Sequence, residues 1–239
     1  MEMASKLSKI MESYRGRDKV IRLLCYSGML SGGLLSEVYK EDKLSRSLLI
    51  FAGRLAECRT MLRLFDDLSM FFHVKKYGLG LKDDLVLRVT KILSNTAIQI
   101  FYPVEHIAWA RDNKIIHGDS ARLYALSVYC WLVSLCLDAL QSVWSLLQER
   151  NKYSQHKNGQ PAKSKAKLIW YQSKRLELLI SIVGSLADAV NAVHWSCPGF
   201  LWAGCLPKSA IGLFGTISSV CLMYNYLYPA KPSPHQKED

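Results

Sequence analysis

Along residues 44–72, apolar side chains recur at alternating steps of four and three: Leu44, Leu48, Phe51, Leu55, Cys58, Leu62 and Phe65. Such steps keep one helix face apolar for about six turns, so the stretch is predicted as a single long amphipathic helix. Arg46, Arg54, Arg59 and Arg63 lie on or beside the opposite face. The pattern fits two uses. Leu44, Leu48, Phe51, Leu55, Leu62 and Phe65 either form the core seam of a helical bundle or insert into lipid, with Arg54, Arg59 and Arg63 reaching headgroup phosphates. Periodicity alone leaves both open.

The same period marks three shorter stretches. Leu7, Ile10, Tyr14, Ile21 and Leu24 share a face of a helix predicted over 5–31, with Gly32-Gly33 as its stop. Val86, Val89, Leu93 and Ile100 line a helix over 83–101 that ends before Pro103. Leu176, Leu179, Val183, Leu186, Val190 and Val193 mark an amphipathic helix that either lies along a bilayer or enters it.

Two other stretches are apolar on every side. Residues 123–147 contain one charge, Asp138, and residues 210–227 contain none. A central Asp costs about 2.5–3.5 kcal/mol on insertion, whereas each Leu or Val returns about 0.3–0.6 kcal/mol. Eight Leu and three Val in 123–147 therefore outweigh Asp138 narrowly. In the second run Gly212, Gly215 and Ser219 offer the small surfaces that let spanning helices approach, and Tyr224, Tyr226 and Tyr228 offer an interfacial anchor.

No alternating strand pattern competes. The predicted fold is all-α, with amphipathic N-terminal helices followed by a two-span transmembrane hairpin. Its parts are a helical region over 1–122, spans over 123–147 and 210–228, a connector with an amphipathic helix over 148–209, and a tail over 229–239.

Composition agrees with a large water-exposed part joined to a few apolar segments: 50% hydrophobic residues and a mean hydropathy of +0.05 over 239 residues. A net charge of +11 calls for an anionic partner. Basic residues alternate with apolar helical faces and are not clustered beside aromatic stacking positions, which points to a membrane surface and away from nucleic acid. The six histidines show no metal-ligand spacing, the seven cysteines form no CxxC pair, and adjacent Asp66-Asp67 diverge around a helix. No nucleophile elbow, Walker loop or dinucleotide fingerprint occurs. Neither catalysis nor a metal or cofactor is expected. Asp138, a charge inside a span, is the one candidate for an intramembrane polar site, and it supports a small-solute channel or carrier as the alternative function.

Several runs together resemble one family. Tyr14-Arg15-Gly16-Arg17-Asp18-Lys19 and Cys58-Arg59-Thr60-Met61-Leu62-Arg63-Leu64-Phe65-Asp66-Asp67 are similar to signatures of the peroxin-11 family of peroxisomal membrane elongation proteins. The run 101–109, from Phe101 to Trp109, and the run 186–195, from Leu186 to Trp195, resemble its gamma-type branch, and Gly212-Leu213-Phe214-Gly215-Thr216-Ile217-Ser218-Ser219 completes the set. The resemblance implies a multi-pass protein of the peroxisomal membrane with both termini cytosolic. It implies homo-oligomers and hetero-oligomers with sister members, contact with the organelle's lipids, and elongation upstream of a fission adaptor and a dynamin-like GTPase. It also places the lipid-inserting helix at 44–72. One tension follows from a two-span hairpin: eight Lys/Arg between Arg150 and Arg175 would face the organelle lumen, against the positive-inside rule.

Overall fold

The computed structural model describes residues 8, 10–39, 43–157 and 164–230. The architecture is all-α: α1 (Tyr14–Val38), α2 (Lys43–Arg63), α3 (Asp66–Tyr77), α4 (Leu85–Asp112), α5 (Ala121–Lys157), α6 (Ser164–His194) and α7 (Lys208–Leu227), with no strand among the described residues. Of the predicted parts, residues 1–7, 9, 40–42, 158–163 and most of the tail (231–239) lie outside the described residues.

Local chemistry sets several boundaries. The Ser13 hydroxyl caps α1 by accepting the Gly16 amide at 3.0 Å, and Asp84 caps α4 by accepting that of Leu87 at 2.9 Å. α3 carries Asp66 and Asp67 in its first turn and Lys75 and Lys76 in its last, the arrangement the helix dipole favours. It stops at Gly78, whose φ of 57° is open to glycine at little cost.

Four expectations need correction. α1 does not stop at Gly32-Gly33 but runs to Val38. Both glycines sit where another helix comes close: a Cβ on Gly32 would meet the Leu49 side chain, and one on Gly33 would strike the Ser209 backbone. The helix expected over 44–72 is two helices, because the amides of Leu64 and Phe65 bond back only three residues, to Met61 and Leu62, and turn the chain. α4 does not end before Pro103 but continues through it to Asp112. An interior proline costs about 3 kcal/mol, and the packing of α4 along α5 outweighs it.

The fourth correction concerns the spans. Three helices, not two, are long and apolar enough to cross a membrane: Ala121–Asn151, Leu168–His194 and Lys208–Leu227. The added one is α6, in which Leu178–Ala187 is free of charge. Ser181, Ser185 and Asn191 interrupt its apolar run, so the 3–4 spacing by itself fits an amphipathic helix as well as a span.

In space the helices pack in the order α2, α1, α7, α6, α5, α4, and α3 joins the two ends by touching α2 and α4. The interior of this set is small and polar. Ser127, Ser134, Asn191, Ser218 and Ser219 are the largest fully buried side chains, whereas Val183, Leu186, Leu213, Val220 and Leu222 point outward. A water-soluble bundle sorts its residues the other way. With lipid as the solvent, apolar burial gives no advantage, and close backbone approach and interhelical hydrogen bonds take over.

Candidate membrane-contact site and polar seam

The predicted lipid-facing stripe is divided by its packing on α1. Ser45 and Ala52 form the buried line of α2: the Ser45 hydroxyl donates to the Gly32 carbonyl at 2.7 Å, and the Cys25 thiol reaches the Ala52 carbonyl. Leu48, Leu55 and Leu62 flank this line and are half-buried. Leu44, Phe51 and Phe65 stay on the outside, Phe65 most of all at 78% exposure. The outward apolar surface continues beyond the predicted stripe, through Leu68, Phe71 and Phe72 of α3 and through Leu79, Leu81 and Leu85. Exposed Lys75, Lys76 and Lys82 are interspersed with it.

The arginines predicted to hold headgroups are differently placed. Arg59 binds Asp18 of α1 at 3.0 Å. Arg63 donates twice to Glu105 of α4, at 2.6 and 2.8 Å. Burial opposes the Arg63 charge, but the Glu105 hydrogen bonds and charge hold its proton more tightly than usual. The Tyr102 hydroxyl is pushed up to about 12, first by burial and then by nearby Asp66. His106 completes the cluster with Asp67 at 2.7 Å. Arg54 alone points outward, paired with Glu57 across one turn of its own helix.

The small residues of α7 meet α1. A Cβ on Gly212 would strike the Leu30 backbone, and one on Gly215 would enter the Tyr26 ring. Ser219 donates to the Gly215 carbonyl at 2.6 Å and accepts from Arg22 Nε at 3.2 Å. The Arg22 guanidinium also donates to Ser218 at 2.8 Å and to Asp188 of α6 at 2.5 Å. Both members of that ion pair are buried, with side chains 9% and 7% exposed. This pair was missed in the sequence. Its signal is a lone cation in the apolar part of α1 and a lone acid in the apolar part of α6.

Asp138 sits on α5, where its carboxylate accepts the Ser94 hydroxyl of α4 at 2.8 Å. It also lines a cavity of about 360 Å³ between α5, α6 and α7, together with Gln141, Ser181, Asp188 and Asn225. Asn225 donates to Ser181 at 2.9 Å, and its carbonyl oxygen is without a partner among the described residues. Nearer the α4 start, Asp84 accepts the Trp144 indole at 2.6 Å as well as Gln148, which ties α4 to α5. That indole bond, the α4 amide and Gln148 hold Asp84 below the usual carboxylate range, and Lys91 does the same for Asp83.

Among the described residues no His, Cys, Asp or Glu group is arranged to hold a metal ion. The site is one of packing, charge pairing and apolar contact.

Comparison with known proteins identifies relatives of the chain. The model of the Peroxisomal biogenesis factor 11 family matches residues 4–227. The chain is 43% identical over 231 residues to Peroxisomal membrane protein 11C of Homo sapiens, covering 94% of each chain. It is 40% identical over 225 residues to Peroxisomal membrane protein 11C of Mus musculus, covering 92% of each. No solved structure matches.

Proposed function

The chain belongs to the Peroxisomal biogenesis factor 11 family, and from that membership we propose that it elongates the peroxisomal membrane ahead of fission by inserting an apolar helical surface into one leaflet. As a peroxisomal membrane protein of this family it takes part in peroxisome biogenesis. The finer mechanism rests on one observation: Phe65, Leu68, Phe72, Leu79 and Leu81 lie outward around α3, with Lys75, Lys76 and Lys82 between them. An apolar surface held about 5–10 Å into a leaflet expands it relative to the other and favours positive curvature, while the lysines meet anionic headgroups. Leu44 and Phe51 extend the same surface along α2. Leu48, Leu55 and Leu62 act from beneath it, and Arg59 and Arg63 brace it through Asp18 and Glu105.

Self-association, pairing with sister members, and recruitment of a fission adaptor and a dynamin-like GTPase complete the proposal. So do both termini facing the cytosol. The functional test uses the whole protein in anionic proteoliposomes. Phe65→Glu/Leu68→Glu/Phe72→Glu should keep its helix content and lose tubulation, because these side chains brace nothing inside the fold. Undiminished tubulation would refute the wedge.

A second reading, a small-solute channel or carrier, draws on the cavity beside Asp138. Conductance in planar bilayers that disappears on Asp138→Leu would favour it, and the absence of conductance would remove it.

A further inference from the structure

The three apolar helices account for only part of what lies at membrane depth. α6 and α7 are antiparallel. At one end Asn225 bonds to the Glu177 carbonyl, and the Ala230 amide to the Glu177 carboxylate at 3.0 Å. At the other, the Leu206 amide donates to His194 at 3.1 Å. α5 starts near that second end: Trp131 stacks on Trp195 with ring centres 6.0 Å apart, and Tyr129 meets Phe200.

α1 starts at the first end. The Ser13 hydroxyl is 2.7 Å from that of Tyr226, near the α7 terminus. Between Ser13 and Ala121 the chain therefore changes sides, which takes an odd number of crossings. Three spans alone contain no such crossing.

α1 can supply one. It lies along the whole of α7, through Ser13 at Tyr226, Arg22 at Ser218 and Ser219, Tyr26 at Gly215, and Glu37 at Ser209. Its 25 residues rise about 37 Å, enough for a hydrocarbon core of about 30 Å. Between Lys19 and Glu37 its sole charge is Arg22, and Leu24 and Leu34 face outward. That charge is cancelled: Arg22 is buried on Asp188, the sole carboxylate between Leu178 and His194 of α6. Each member would otherwise stand alone at depth, where a charge costs about 2.5–3.5 kcal/mol.

We propose that α1 is a fourth membrane-crossing helix, presenting Leu24 and Leu34 to acyl chains and supplying Arg22 as the counter-charge of Asp188. α2 runs back antiparallel to α1, from Ser45 at Gly32 to Arg59 at Asp18, and α4 returns along α5 from Asp84 at Trp144, so segment 39–120 makes two opposite traverses and leaves the net change of sides to α1. The start of α1, the end of α5, the start of α6 and the end of α7 share one side, so the cations at Arg15, Arg17, Arg150 and Arg175 gather on a single face. That removes the conflict with the positive-inside rule that a two-span hairpin creates. The inference rests on membrane residence and is independent of elongation.

Ser8→Cys and Ser36→Cys, placed at the two ends of α1 in separate full-length proteins, test it. Intact isolated peroxisomes are treated with a membrane-impermeant maleimide, and labelled peptides are located by mass spectrometry. Native Cys205, exposed in the α6–α7 loop, reports the side of that loop. One engineered cysteine should label at least tenfold more than the other before detergent and equally after it, with Ser36→Cys following Cys205. Equal labelling of the two before detergent, or Cys205 following Ser8→Cys, would overturn the proposal.

Discussion

The seam joining α1, α6 and α7 and the corner joining α2, α3 and α4 are built by opposite rules. At the seam, glycine and serine bring backbones together, and one ion pair is sealed inside: Arg22 on Asp188 with Ser218 and Ser219 around it. At the corner, the bridges lie nearer the surface: Arg63 of α2 pairs with Glu105 of α4, and His106 of α4 meets Asp67 of α3, while Arg59 ties α2 to Asp18 of α1. Large apolar side chains there point outward. The seam is suited to hold the molecule together in lipid, and the corner to present a surface to it. Charge pairing should therefore matter most where it is deepest.

The most damaging change should be Asp188→Leu, which leaves Arg22 buried and unpaired. Removing one partner of a buried pair costs about 3–5 kcal/mol. Detergent-solubilised protein should unfold at a clearly lower temperature, and Arg22→Met/Asp188→Leu should recover most of the loss. If the double variant is no better than the single, the pair is not the seam's lock.

Glu105→Gln comes next. Arg63 keeps part of its exposure, so losing charge-assisted hydrogen bonds should cost about 1.5–3 kcal/mol. Faster hydrogen exchange should be confined to residues 60–67 and 100–107, with α6 and α7 unchanged. Loosening that spreads to the seam would mean that the two regions are one cooperative unit.

Acid should act on the base of α4. Because folding lowers the pKa values of Asp83 and Asp84, their contribution is complete above about pH 4 and fades as pH falls through the lowered values. Unfolding temperature measured against pH should drop in that window, less steeply in Asp84→Asn. An equal slope in the variant would deny Asp84 a part.

Arg54→Ala should be the mildest change. Its pair with Glu57 is exposed at 74% and 65%, so stability should move by less than about 0.5 kcal/mol. A loss as large as that of Asp188→Leu would erase the contrast between seam and corner.

Much of this protein was legible in its residues. An all-helical chain follows from the 3–4 spacing of Leu44 to Phe65, and two spans follow from the runs 123–147 and 210–227. Helical period and charge-free length are properties of consecutive residues, so they survive without knowledge of neighbours. Tertiary structure decided the rest. Gly32-Gly33 reads as a stop and Pro103 as a break until a packed neighbour outweighs local propensity. Asp188 sits in the apolar part of α6 with a counter-charge that lies 166 positions away, on α1. Whether a charge is tolerable at depth depends on the group that folding places beside it, and no stretch of sequence carries that information by itself.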